Sequence, residues 1–68
     1  MSVDFKHPLV GRIVVYRDPY ASGPEQGTVT SVNKEANILF VRYGLGNTSA
    51  ATNADERLTF LNGERVKL

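Results

Sequence analysis

Two strand-like runs set a hairpin turn apart constrain this chain more than any other feature. Residues 27–33 read Gly-Thr-Val-Thr-Ser-Val-Asn and residues 37–43 read Asn-Ile-Leu-Phe-Val-Arg-Tyr. β-branched and aromatic side chains suit a pleated surface, so each run reads as a strand. Asn33 and Asn37 bracket the break between them, and asparagine either adopts the left-handed region or bonds its own backbone there.

The same reading extends to both sides. Residues 12–16 (Arg-Ile-Val-Val-Tyr) form a first strand, and residues 17–24 form a loop punctuated by Asp18-Pro19 and Ser22-Gly23-Pro24. The second strand covers residues 26–32 and the third residues 38–43. A tight turn is expected at residues 44–47 and a small-residue strand at 48–52. Residues 53–57 read as a single helical or 3₁₀ turn capped by Asn53, with Asp55 and Glu56 near its positive end. Residues 58–61 are the fifth strand. Asn62-Gly63 is a hairpin signal, so residues 64–68 pair back as a sixth strand or fray. The predicted fold class is all-β: a small SH3-like barrel of five short antiparallel strands, or six, with a helical or 3₁₀ turn before the fifth. An OB-fold would want longer strands and a helix after the third. Residues 1–8 form a leader, 9–61 the barrel domain and 62–68 a C-terminal hairpin or tail.

Alternation assigns faces. In the third strand Leu39, Val41 and Tyr43 share one side, and Ile38, Phe40 and Arg42 the other. Arg42 belongs outside, so Leu39 and Val41 belong inside, with Tyr43 at the barrel end and its hydroxyl reaching water. The first strand then buries Ile13 and Val15 and turns Arg12 and Val14 outward. Val29 points in, and the odd spacing to Val32 predicts a bulge or bend near Ser31. Leu58 and Leu61 plug the C-terminal side, and Ala50 and Ala51 are small because a ring or backbone comes close. Ile38 and Phe40 need cover, either from Val3, Phe5, Val66 and Leu68 or from a partner.

Composition narrows the chemistry. The 68 residues make one domain, small enough to hide only about 60% of the surface the unfolded chain exposes. There is no cysteine, hence no disulfide or thiolate metal site. Eight basic and seven acidic side chains give a net charge of +1, without the basic excess of a phosphate-backbone binder. No stretch of 18 apolar residues occurs, so a soluble, cytoplasmic protein with no membrane partner is expected. His7 is the single histidine, and Ser22, Ser31 and Ser49 have no base at a suggestive spacing, so no enzyme, cofactor, metal or small-molecule substrate is expected. Residues 44–47 (Gly-Leu-Gly-Asn) lack the lysine and helix of a phosphate loop. Two surfaces remain. The outer face gathers Arg12, Val14, Ile38, Phe40 and Arg42, and aromatic beside arginine is a composition interfaces favour. The barrel end gathers Tyr16, Tyr20 and Tyr43, with Asp18 close in sequence, where rings and an acid would make a cation cage.

The motifs at residues 10–16, 25–33, 38–43, 48–52 and 57–58 resemble SH3-like barrels of the Tudor and KOW type. In those, a Gly-x-Val strand and a Val-x-Tyr/Phe strand form the central hairpin. The chain is also similar to short uncharacterised proteins encoded by bacteriophages and prophages, which implies an accessory or structural role in a host cytoplasm. The expected function is a non-catalytic binding or assembly module, toward a protein partner or a second copy of the chain. A nucleic-acid-binding module is the alternative, with Arg12, Arg17, Lys34, Arg42 and Arg57 gathered on one side.

Overall fold

Five antiparallel strands form one open sheet: β1 (Ile13–Tyr16), β2 (Glu25–Asn33), β3 (Ile38–Tyr43), β4 (Ser49–Asn53) and β5 (Leu58–Phe60), in the spatial order β4-β3-β2-β1-β5. The computed structural model describes residues 3–20, 23–44 and 48–68, and no helix occurs among them. Ser22 and residues 45–47, in the predicted loop and tight turn, lie outside the described residues. Gly44, which opens that turn, has φ +65.

The long β2 is the spine. It pairs with β3 from Gly27 to Asn33 and with β1 from Glu25 to Thr28. The register slips between Val29 and Ser31, so Thr30 is an extra residue and both Val29 and Val32 point inward, as the odd spacing predicts. Thr30 turns the bulge to use. Its hydroxyl donates to the Phe40 carbonyl at 3.0 Å and is bonded to the Ser49 hydroxyl at 2.7 Å, spanning β3. The β2–β3 turn also forms as read. Asn37 takes φ 56, and the Asn33 side chain accepts the Ala36 amide. The Asn37 carbonyl accepts the Ala54 amide and its side chain donates to the Ala54 carbonyl, tying this turn to the end of β4.

One core serves the whole sheet. Val14, Val29, Val32, Leu39, Val41 and Leu58 are buried together with Leu9, Ala54 and Val66. Leu58 lies on one edge strand and Leu39 beside the other, so the sheet must curl for both to share a cluster. Leu39 and Val41 are inside, with Arg42 exposed, as alternation requires.

The first strand faces the other way from the prediction. Val14 is fully buried and Ile13 is 37% exposed. Arg12 misled the assignment, because it precedes β1 and lies at the rim. From there it crosses the Phe60 ring at 4.6 Å and still reaches water along its own stem. Val15 is buried outside the core cluster, on the opposite face from Val14. Leu61 is 63% exposed and plugs nothing.

The segment before β5 is a single turn, closed by the Leu58 amide on the Asp55 carbonyl. Its cap is Asp55, whose carboxylate accepts the Arg57 amide, while Asn53 ends β4. Residues 64–68 fold back without forming a full strand. Thr59 bridges Arg65, the Phe60 amide donates to the Glu64 carbonyl, and the Val66 amide donates to the Leu58 carbonyl. This puts Val66 in the core and Leu68 against it, so neither covers Ile38 or Phe40. Asp4 bridges Val32 beyond the end of β1, while Val3 and Phe5 remain exposed.

Candidate functional site

Both predicted surfaces can be traced in the structure, and one of them is concave. A cleft of about 360 Å³ opens where the ends of β1 and β3 meet the start of β2 and the strand β4. It is lined by Tyr16, Asp18, Gly23, Glu25, Tyr43 and residues 50–53. The volume lies near the lower end of the range for ligand pockets, enough for one long side chain.

Register builds this cleft. Gly27 sits opposite Val14 on one side and Tyr43 on the other. A Cβ there would come within 2.5 Å of Val41 Cγ1 and 2.8 Å of Tyr43 Cδ1. The missing side chain therefore makes room for the Tyr43 ring. Two residues earlier, on the same face as Gly27, Glu25 stands opposite Tyr16. The Tyr43 hydroxyl is bonded to the Thr52 hydroxyl at 2.9 Å. Thr52 lies farther along β4 than the level of Tyr43, so the phenol must cross the position of Ala50. A single methyl there leaves it space, which accounts for the small residue.

The electrostatics follow from this packing. Burial pushes the Tyr43 hydroxyl above its ordinary pKa, with Glu25 and Tyr16 adding to the rise against the Thr52 hydrogen bond. Arg57 lies beside the Tyr16 hydroxyl, and that polar contact raises its own pKa, with smaller help from Asp55 and Asp18. Asp18 fixes the loop by accepting the Tyr20 amide at 2.9 Å. The described lining thus includes two tyrosines and the acidic residues Asp18 and Glu25, with Arg57 standing at the Tyr16 hydroxyl.

Tyr20 does not join the other two tyrosines. It is 94% exposed and outside the cleft, carried into solvent by the tight turn on Asp18. Glu25 and Thr52 were missed. Glu25 becomes visible only once Gly27 is set against Val14, because that register places it across from Tyr16.

The outer face is flatter. Ile38 and Phe40 are half-buried and outside the core cluster, with Arg42 exposed beside them. Val14 is removed from this surface by its burial, and Arg12 is engaged on Phe60. Of the basic residues, Arg17 and Arg57 are neighbours, the Arg17 amide donating to the Arg57 carbonyl and the Arg17 guanidinium to the Thr59 hydroxyl, while Lys34 is on the β2–β3 turn. No family model matches this chain, and neither a curated protein nor a solved structure matches it. No helix among the described residues is long and apolar enough to cross a membrane.

Proposed function

We propose that this chain is a non-catalytic, protein-binding module on an SH3-like barrel, and that the cleft between Tyr16 and Tyr43 receives a cationic side chain of the partner. The barrel reading is supported by the curl needed to bring Leu58 and Leu39 into one core and by the bulged β2 that serves both halves of the sheet. The observation that carries the function is the convergence of two phenol rings with Asp18 and Glu25 in one cleft. Ring faces attract a cation, by about 0.5–1 kcal/mol at exposed sites and more when desolvated, and the carboxylates add charge complementarity.

The test is an NMR titration with Nα-acetyl-lysine amide, with Nα-acetyl-norleucine amide as the neutral probe of similar length. The lysine probe is expected to move the amide signals of Tyr16, Asp18, Glu25 and Tyr43, and the neutral one to leave them in place. Equal responses to the two would remove the cation site. Oligonucleotides, single- and double-stranded, are titrated in parallel at two salt concentrations. Tight binding that falls steeply with salt would replace this reading by the nucleic-acid one, since counterion release dominates such contacts.

A further inference from the structure

The chain covers its sheet edges unequally. The outer edge of β5 is occupied by the tail, through the Phe60 amide and the Leu58 carbonyl. The half of β2 beyond β1 is occupied by Asp4, whose amide and carbonyl both pair with Val32. β4 has β3 as its one neighbour among the described residues. Unpaired edges are ordinarily guarded by charge, proline or a bulge, because they template pairing with another chain. The sequence of β4 is Ser-Ala-Ala-Thr-Asn, which carries none of these.

The register says which groups are free. Ala54 and Asn37 lie opposite each other, and the Ala54 amide donates to the Asn37 carbonyl. Antiparallel pairs alternate between bonded and non-bonded types. Thr52 opposite Leu39 and Ala50 opposite Val41 are therefore bonded pairs. Ser49 and Ala51 turn their amides and carbonyls away from β3. The turn before β5 agrees with this parity, since the Asn53 carbonyl accepts the Asp55 amide instead of a β3 donor. Ala50, Ala51, Thr52 and Asn53 also line the cleft, so the bare edge and the acidic, aromatic lining belong to one concavity.

We infer that the partner's binding segment is an extended, basic stretch of chain that adds to β4 as a further strand, through the backbone of Ser49 and Ala51, and drops a lysine or arginine side chain between Tyr16 and Tyr43 beside Asp18 and Glu25. Backbone pairing supplies affinity, and the pocket for one alternate side chain supplies selectivity. The inference rests on the cation reading of the cleft and adds the backbone component to it.

The test uses the full chain and three probes: the blocked peptide acetyl-(Thr-Lys)₃-amide, the same peptide N-methylated at alternate backbone nitrogens, and Nα-acetyl-lysine amide. The unmodified peptide is expected to bind at least tenfold tighter than either other probe and to slow hydrogen exchange at the Ser49 and Ala51 amides. Ala51→Pro removes an outward amide that pairs with nothing in the sheet. It is expected to cost the peptide tenfold. If the N-methylated peptide binds as well as the unmodified one, strand addition is overturned while the cation site stands. That comparison does not depend on Ala51→Pro folding. If none of the three probes binds, the cation site and strand addition fall together.

Discussion

Tyr43 packs its ring on the core, shares a hydroxyl hydrogen bond with Thr52 and occupies the cleft together with Glu25. Burial first, then Glu25 and Tyr16, keep its proton on above the ordinary tyrosine value of 10.0. A pKa higher in the folded than in the unfolded chain leaves stability intact below the unfolded value, and stability is lost as pH rises through the folded one. The urea midpoint of the protein is therefore expected to fall above about pH 10. Tyr43→Phe flattens that alkaline limb and costs about 1 kcal/mol at neutral pH through the lost Thr52 hydrogen bond. An unchanged alkaline slope in Tyr43→Phe would assign the effect to another group. Single residues were legible in the sequence where a charge stands inside a strand. Arg42 fixed the faces of β3 because a charge in mid-strand has no route to water except outward. Arg12 gave the wrong answer for β1 because a long side chain at a rim reaches water from either face. Tyr20 and Tyr16 look equivalent in sequence, and the Asp18 turn that separates them is a local geometry no periodicity reports.

Among the elements, the C-terminal segment contributes more than its lack of regular structure suggests. Asn62-Gly63 announced a turn, and Gly63 does take φ +90. What the sequence did not carry was the destination of the segment. Val66 and Leu68 alternate with charged residues, a pattern equally compatible with covering the outer face. The hydrogen bonds to β5 decide it, and they bring Val66 to 1% exposure in the core. Val66→Ala is expected to destabilise by about 2 kcal/mol, in line with the burial of a valine side chain. For a domain of this size that lowers Tm by roughly 8–16 °C, measurable by thermal melt. A change under 2 °C would mean that the tail is frayed in solution. The turn before β5 illustrates the opposite case. The acidic residues there were read as standing near the positive end of a single turn capped by Asn53; the structure moves the cap to Asp55, and the turn ends where it does because β5 must begin at Leu58 to pair with Tyr16.

At the scale of the molecule, the central hairpin and the all-β class were readable because periodicity and turn chemistry are local. The cleft was readable in part: Tyr16, Tyr43 and Asp18 were singled out, while Glu25 and the residues of β4 depend on register, which is set by contacts distant in sequence. That division between near and distant contacts also sets an order in time. The β2–β3 hairpin closes over the four residues from Lys34 to Asn37, whereas β1 and β5 join opposite ends of the chain. Chain-closure entropy favours the first pairing early and the second late. Stopped-flow measurements are expected to show Val41→Ala slowing refolding, and Leu58→Ala acting mainly by speeding unfolding. The reverse pattern would place the meeting of the chain ends in the transition state. In the order expected here, the bulged β2 is the template on which the protein assembles, and the β1–β5 seam is the latch that opens first when it comes apart.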